Sequence, residues 1–201
     1  MLLNDIKIRE LATQGMIRPF EPSLIREVQD SLIQNAPLRK VISFGLSSYG
    51  YDLRLLPSVF KIFRKIPGEV VDPKDFAPEF LEDAELHRDR KGKFFILPAH
   101  SYGLGVAMER LEIPRNITCL FIGKSTYARC GVIANLTPGE AGWRGNLTIE
   151  ISNSSDADCR IYANEGIVQA LFLEGYPCET SYADRGGKYQ DQGEVVTLAK
   201  C

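Results

Sequence analysis

From Val41 onward, apolar residues come in short β-branched and aromatic stretches separated by turn residues. The clearest are VISF (41–44), VFKIF (59–63), NITCLFIG (116–123) and NLTIEIS (146–152). Short stretches of this kind between glycine and proline turns are typical of strands in an all-β sandwich or barrel. The pattern therefore predicts a mainly β fold with helical decoration.

The first part of the chain has a different pattern, which predicts helices. A short helix is expected from Asn4 or Asp5, either of which can cap it, to about Gly15. A second helix is expected over 23–34, where apolar residues recur at four-residue spacing behind a proline. The charged run at 79–91 predicts a solvated loop or a short surface helix.

The length of 201 residues fits one domain, 1–201, with enough chain for a core. We divide it into a helical N-terminal part (about 1–38), a β-rich body (about 39–178) and a C-terminal tail (about 179–201). The tail contains SYADRGGKYQDQGEVV, which is polar, aromatic and glycine-rich. This composition predicts a mobile loop that can close over a ligand.

Charge and composition argue against several classes of function. The net charge of −2 does not favour an electrostatically driven nucleic-acid binder. No apolar run is long enough to span a bilayer, and the N-terminus lacks the apolar region of a signal peptide. We therefore expect a cytoplasmic protein, in which five scattered cysteines without a C-x-x-C pair are expected to be reduced thiols.

The segment GKSTYARCG (123–131) concentrates polar chemistry between two glycines. Lys124, Ser125 and Thr126 would suit phosphate binding through backbone N–H groups, hydroxyls and a cation. The competing interpretation is a strand followed by a one-turn helix that Ser125 caps. Arg129 is either a surface residue or the partner of a buried carboxylate.

Glu150 lies in a strand but out of phase with its apolar neighbours, so it occupies the opposite face. Period-2 alternation alone favours an ordinary wet sheet surface formed by Thr148, Glu150 and Ser152. A carboxylate in such a strand is costly to desolvate unless it faces water, a partner or a substrate. Both interpretations stay open at this point.

Three further sets of residues bear on function. Asp52 and Arg54 share one face of a predicted strand and can form a local ion pair, of little value if exposed. Polar and aromatic tail residues can hold a nucleotide by stacking, charge and amide hydrogen bonds; these are Tyr182, Lys188, Tyr189 and Gln192. Neither histidine begins the H-x-E of a zinc deaminase and no two cysteines are close, which argues against zinc.

Taken together, these segments resemble the dCTP deaminases, a branch of the dUTPase-like superfamily. The resemblance runs through SSYGYDLRL (47–55), GKSTYARCG (123–131), TPGEAGWRGNLTIEISN (137–153), YANEG (162–166) and SYADRGGKYQ (181–190). It implies a distorted β-barrel or jelly-roll subunit of the dUTPase-like type. It also implies a homotrimer with active sites at subunit interfaces, metal-free hydrolysis of dCTP to dUTP and ammonia, and Mg²⁺ that accompanies the triphosphate. The dUTP would supply thymidylate synthesis.

The resemblance also implies residue roles. Glu150 would be the catalytic carboxylate, with Ser125 and Arg129 helping to order the attacking water. The remaining substrate contacts would come from Lys124, Ser125 and Thr126 at the phosphates, Asn135 to Thr137 at the base edge, and Tyr182, Lys188 and Gln192 at the triphosphate and sugar. Glu140 and Trp143 stand where many relatives have an Asp-x-Gly-aromatic run, which places Trp143 near the base in a region that departs from the family pattern.

Three alternatives remain at the level of sequence. A dUTPase would cleave the α–β phosphate linkage, but its glycine-serine-rich C-terminal motif is absent. A bifunctional deaminase and dUTPase would release dUMP and pyrophosphate. A regulatory relative would bind nucleotide without catalysis, although the joint presence of Ser125, Arg129 and Glu150 argues against it.

Overall fold

The computed structural model describes residues 1–29, 37–134 and 137–201. Within these ranges the chain is mainly β, with two α-helices and one 3-10 turn. The helical elements are α1 (Asp5–Thr13), the 3-10 turn (Pro78–Phe80) and α2 (Ser125–Ala128). The strands are β1 (Ile17–Arg18), β2 (Leu24–Val28), β3 (Arg39–Ser47), β4 (Gly50–Phe63), β5 (Leu81–Asp83), β6 (His87–Asp89), β7 (Gly92–Leu97), β8 (Tyr102–Glu112), β9 (Ile117–Gly123), β10 (Val132–Ala134), β11 (Thr137–Gly139), β12 (Arg144–Asn153), β13 (Cys159–Tyr162) and β14 (Gly166–Glu174).

One large antiparallel sheet dominates the architecture, in the order β10-β12-β8-β4-β14-β9-β11. Strands β3 and β5 pair with β4, β2 pairs with β3, β1 pairs with β8, and a second sheet has the order β13-β7-β6. The long strand β4 joins two halves of the large sheet. Its first part pairs with β3 and β14, and its later part pairs with β8 and β5. The sheet curls into a half-barrel, which confirms the predicted fold class.

The first helix forms where its capping residue predicts it. The side-chain oxygen of Asn4 accepts a hydrogen bond from the Lys7 N–H at 3.1 Å, which satisfies one free donor at the helix start. Ile8 and Ala12 face the core, and the chain leaves the helix through Gly15 at a φ of +102°. The left-handed conformation at Gly15 is a usual way to end a helix.

The prediction of a second helix over 23–34 is wrong for the part of that segment that the structure describes. Leu24–Val28 is strand β2, antiparallel to β3, while residues 30–36 lie outside the described ranges. A spacing of four residues fits one side of a helix, but it also fits one face of a strand because four is a multiple of two. The β-branched residues Ile25 and Val28 favour the strand.

The charged run at 79–91 is neither a plain loop nor an α-helix. After the 3-10 turn it forms two short strands, of which β5 pairs with β4 and β6 pairs with β7. Much of this segment remains exposed, as expected from its charge. Lys61 and Asp83 are directly opposite across β4 and β5, and their charged atoms lie 2.6 Å apart. Opposite charges at such cross-strand positions favour pairing, so a charged sequence can form an edge strand.

The C-terminal tail packs over part of the large sheet. Val196 is buried in a cluster with Leu56, Leu104 and Val106, and Leu198 packs against the same cluster. The residues that contact Val196 belong to β4 and β8, on the face turned away from the main core. The tail therefore covers a sheet face that would otherwise be open to water.

Candidate active site

Strand β12 places Glu150 on the covered face of the sheet. Glu150 pairs with Leu104 of β8, and the next residue, Ile151, pairs with Ala134 of β10. Ile149 and Ile151 point into the core and are almost completely buried. Alternation thus sends Glu150 to the opposite side, as the sequence predicted, but the carboxylate is half-buried there.

The expectation of a wet, ordinary sheet surface around Glu150 is wrong, because the tail covers its strand. The Thr148 hydroxyl donates a hydrogen bond to the Gln192 side-chain oxygen at 3.1 Å and accepts one from the Thr197 N–H at 3.1 Å. The same Gln192 oxygen accepts a bond from the Thr148 N–H at 3.2 Å. These bonds tie two points of the tail to one residue of β12, two positions from Glu150.

A glycine lets the tail approach this strand so closely. Gly145 has a φ of +146° and forms a parallel bridge with Gln192. A β-carbon at Gly145 would lie only 2.7 Å from the Gln192 nitrogen. Any larger residue would therefore push the tail away from β12.

Beneath the tail lies a cavity of about 530 Å³, which we call the Glu150 cavity. This volume is in the range of small-molecule sites. It brings together seven residues predicted from the sequence, Thr137, Trp143, Glu150, Tyr182, Lys188, Tyr189 and Gln192. Its other lining residues are Phe63, Phe76, Tyr102, Leu104, Phe121, Pro138, Gly139, Glu140, Leu147, Thr148, Thr197, Leu198 and Ala199.

One wall of the Glu150 cavity is aromatic, and sequence reasoning missed it. The ring of Phe63 packs edge-on against Tyr102, with centroids 5.4 Å apart, and against Phe76 at 5.8 Å. Tyr102 could have been found, because it lies opposite Ser152 in the ladder and alternates onto the Glu150 face. Phe76 lies in a long connection without periodicity, so no sequence signal points to it.

The carboxylates in the cavity differ in their surroundings. Burial raises the pKa of Glu150, and no residue in the described ranges forms an ion pair with it. Burial, followed by the charge of Glu150, raises the pKa of Tyr102. Glu140 is instead paired with the Arg185 guanidinium. Glu150 is therefore the carboxylate suited to accept a proton, and Glu140 is held by a cation.

The tail residues predicted to bind a nucleotide are organised by Trp143 and Tyr182. The indole N–H of Trp143 donates a hydrogen bond to the Tyr189 carbonyl at 2.8 Å, and Trp143 itself is buried. The Tyr182 hydroxyl accepts a bond from the Tyr189 N–H at 2.9 Å. The Lys188 ammonium contacts the Lys200 carbonyl. In this arrangement Trp143 supports the tail from below, which is a different task from stacking on a base.

The other predicted residues lie apart from Glu150. Ser125, Thr126 and Arg129 are exposed on and after α2, and none of them lines the Glu150 cavity. The helix start is Lys124 without a side-chain cap bond, so the expectation that Ser125 caps it is wrong. Asn135 lies outside the described residues.

Thr126 borders a separate and more open hollow of about 1170 Å³. Five cationic side chains line that hollow along with two carboxylates. They are Arg26, Arg39, Lys40, Arg90 and Lys91, beside Glu27 and Glu165.

The predicted ion pair between Asp52 and Arg54 is also wrong. Asp52 pairs with Lys124, whereas the Arg54 side chain binds Glu109 at 2.6 Å and its N–H donates to the same carboxylate at 2.8 Å. Both residues share a face of β4, as expected, but each reaches a partner on another strand or loop. Lys124 is thereby turned inward, which does not fit the phosphate contact expected of its side chain.

Two kinds of feature are absent from the described residues. No group of three or more histidine, cysteine, aspartate or glutamate residues there is placed to hold a metal ion. None of the helices in the described ranges has the length and apolar character needed to cross a membrane.

Comparison with known proteins adds a family to this geometry. A family model described as dCTP deaminase-like matches residues 2–175. The chain is 48% identical over 199 residues to a dCTP deaminase of Cupriavidus taiwanensis, covering 98% of this chain and 97% of that protein. It is 46% identical over 199 residues to a dCTP deaminase of Halorhodospira halophila, with the same two coverages.

A solved structure supports the fold. The crystal structure of 2'-deoxycytidine 5'-triphosphate deaminase from Agrobacterium tumefaciens matches 87% of this chain with a TM-score of 0.53 at 16% identity. The match covers 48% of that longer chain. The family model matches most of the chain, and the dCTP deaminases match almost all of it. The chain therefore belongs to the dCTP deaminase-like family.

Proposed function

We propose that this protein hydrolyses dCTP to dUTP and ammonia, with Glu150 as the general base and acid. The observation that carries the proposal is the half-buried Glu150 carboxylate in a cavity of about 530 Å³ beneath the tail. Its support comes from a chain nearly half identical, along almost its whole length, to proteins named dCTP deaminase.

The chemistry requires one group that both takes and gives protons. Water attacks C4 of cytosine while Glu150 removes its proton, which produces a tetrahedral carbon. Glu150 then gives this proton to N3. It next takes the proton of the new C4 hydroxyl and delivers it to the amino group, so that C4=O forms as the C4–N4 bond breaks and ammonia leaves. A positioned acid–base group supplies about 10²–10⁴-fold of such a rate enhancement. The remainder comes from orientation and from fixed dipoles around the intermediate.

We propose that a second subunit completes the site, in a homotrimer. Within one chain the Glu150 cavity lacks Ser125 and Arg129, both of which are exposed on another part of the surface. Ile133, on the β10 strand beside Glu150, is 51% exposed and so offers an apolar contact to a partner next to the cavity. A neighbouring copy that brings its own Ser125 and Arg129 to Glu150 would satisfy both observations.

The substrate would enter as the complex of dCTP with Mg²⁺, in which the phosphate oxygens hold the ion. Tail residues Lys188 and Gln192 lie at the cavity and are suited to contact the triphosphate and sugar. We expect this activity in the cytoplasm, in accord with five cysteines that are all free thiols.

Replacement of Glu150 by glutamine tests the proposal directly. Glu150→Gln keeps the size of the side chain but cannot accept the proton, so ammonia release from dCTP should fall by about 10²-fold or more. Binding of dCTP, measured by calorimetry, should remain within a few fold. Glu112→Gln removes an exposed carboxylate from the other end of the same strand pair and should turn over normally. Comparable turnover by Glu150→Gln would refute the assignment.

The products separate the deaminase from a bifunctional enzyme. Because Glu140 is paired with Arg185, we expect no second water-activating carboxylate and therefore dUTP with ammonia as the only products. Formation of dUMP and pyrophosphate would show the second hydrolysis. Nucleotide binding without any ammonia would indicate a regulatory relative. Running the assay with dCTP, CTP and dCMP also measures the requirement for deoxyribose and triphosphate.

A further inference from the structure

Lys124 is held inside the subunit by two partners, although it directly precedes the exposed Ser125. Its ammonium forms an ion pair with Asp52 and donates a hydrogen bond to the Ser43 hydroxyl at 3.2 Å. Only 12% of its side chain is exposed. Gly166 leaves room mainly for the backbone of Ser43, since a β-carbon there would lie 2.0 Å from the Ser43 carbonyl oxygen, and it would also lie 3.2 Å from Lys124 Cδ.

Asp52 is more deeply buried than its partner. Its side chain is 4% exposed, and its Oδ1 atom has no hydrogen-bond partner among the described residues. Burial raises the pKa of Asp52, and Lys124 lowers it. An ion pair so far from water costs desolvation on both sides, and it often adds little net stability. The presence of the pair is therefore better explained by the local geometry that it fixes than by a gain in stability.

The geometry in question is that of residues 124–129, which we call the 124–129 turn. Helix α2 inside it has only four residues and no side-chain cap bond, so it cannot hold itself in place. Two anchors fix it. At one end is the Lys124 ion pair, and in the middle the buried Tyr127 accepts a hydrogen bond from the Tyr162 N–H at 2.8 Å. Ser125, Thr126 and Arg129 project outward between and beyond these anchors.

We propose that Asp52 is a positioning residue that acts through Lys124 to fix the 124–129 turn and so the orientation of Ser125 and Arg129. Lys124 is then an internal brace and not a phosphate ligand. This inference rests on the proposed function for the roles of Ser125 and Arg129. It adds a residue, Asp52, that touches neither the water nor the nucleotide.

Three variants test the proposal by steady-state deamination of dCTP. Asp52→Asn and Lys124→Met should each lower kcat by about 10- to 100-fold, because small displacements of catalytic groups have effects of that size. The double variant should be no worse than either single variant, since both changes remove the same brace. If Lys124 instead binds phosphate, Lys124→Met would raise KM for dCTP and the two effects would multiply. That result, or kcat within twofold of the wild type in both single variants, would overturn the proposal.

Comparing the unfolding temperature with kcat separates a positioning role from a merely structural one. Asp52→Asn leaves a buried lysine without its counter-charge, so it should unfold at a lower temperature, whereas the double variant removes both charges and should recover. Recovery of the unfolding temperature without recovery of kcat supports positioning. Recovery of both together would contradict it. The neighbouring buried pair gives a matched control, since Arg54→Met with Glu109→Gln leaves the turn untouched and should retain kcat within about threefold.

Hydrogen exchange separates this inference from the proposed function. In the full-length protein without nucleotide, Asp52→Asn should speed exchange at the Ala128 and Arg129 amides by about tenfold or more, because the turn loses an anchor. The Arg54 and Glu109 control should leave those amides unchanged. Unchanged exchange in Asp52→Asn would overturn the brace even if the enzyme is a deaminase. A wild type that releases no ammonia would overturn the deaminase, while the exchange result still decides the brace.

Discussion

The surroundings of Glu150 set the conditions under which its carboxylate can act as a base. The side chain is half-buried beneath the tail and faces an aromatic wall, and no cation in the described ranges pairs with it. Water and cations that would stabilise the ionised form are thus limited in a single subunit. Burial accordingly raises the pKa of Glu150 above that of an ordinary glutamate.

The raised pKa predicts where activity is lost in acid. A general base works as the carboxylate, which is present above its pKa, so kcat/KM should fall as the pH drops through that value. Because the shift is upward, this acid limb should lie above about pH 4.3, the usual value for glutamate. The pH dependence of kcat/KM for dCTP measures it. An acid limb at or below that pH would contradict the upward shift and would indicate that a cation, such as Arg129 of a neighbouring copy, offsets the effect of burial.

Individual residues differ in how far the sequence alone could place them. The side of β12 on which Glu150 lies follows from alternation, because strand periodicity is a local property. The partners of Asp52, Arg54 and Lys124 do not follow, because they depend on which strands and loops become neighbours. Asp52 and Lys124 are 72 positions apart, and no local pattern links them. The family resemblance assigns Lys124 to the phosphates, whereas in the structure its ammonium forms an ion pair with Asp52.

Among the structural elements, the C-terminal tail most changes the character of the site. Gln192 and Thr197 bond to Thr148, and Val196 enters an apolar cluster on the same face. The tail thus converts an exposed sheet face into a cavity wall. Without it, Glu150 would lie on the wet surface that alternation alone suggests.

Removal of the end of the tail tests this role. A chain that stops after Gly193 loses Val196, whose burial contributes about 1.5–3 kcal/mol to docking of the tail. Since 1.4 kcal/mol is a factor of ten, kcat/KM for dCTP should fall by about tenfold or more. Limited proteolysis should also cut the remaining tail faster. Cys201→Ser changes only the last residue and serves as the control; normal kcat/KM in the shortened chain would contradict a covering role.

The elements also show why some segments could be predicted and others not. Helix α1 has a capping asparagine, a terminal glycine and inward apolar residues, so its local signals agree. The 23–28 segment carries a spacing that fits both a helix and a strand, and pairing with β3 decided between them. The tail has no regular strand or helix over 179–191, so its docking depends on side-chain contacts to Trp143 and β12 that no periodicity reveals.

At the scale of the whole molecule, the residues proposed to act together fall into two sets. Glu150 and the tail form one set around the cavity, and the exposed end of the 124–129 turn forms the other. The chain runs from α2 through a short turn into β10, and β10 pairs with β12. The two sets are therefore connected through neighbouring strands, although α2 does not line the Glu150 cavity. In the proposed homotrimer, each copy would give one set to its neighbour, which would complete every site without changing any fold.

Mixed assemblies test whether neighbouring subunits share each site. Sedimentation equilibrium should first give a mass near three times 22.5 kDa. Glu150→Gln and Arg129→Ala subunits are each expected to form inactive assemblies. If a site takes Glu150 from one copy and Arg129 from the next, random mixing in equal amounts restores about one quarter of the sites. Dissociation and reassembly, or co-expression with different tags, provides the mixture for the ammonia assay.

A matched mixture makes this last test decisive. When Arg129→Ala subunits are mixed with subunits carrying both changes, Arg129 is missing from every chain, so no activity should return. Recovery in the first mixture and none in the second supports a shared site. If the first mixture stays at the average of its two parents, Glu150 and Arg129 must act within one chain. The 124–129 turn would then have to move from its braced position towards the cavity, against the anchoring of Lys124 and Tyr127.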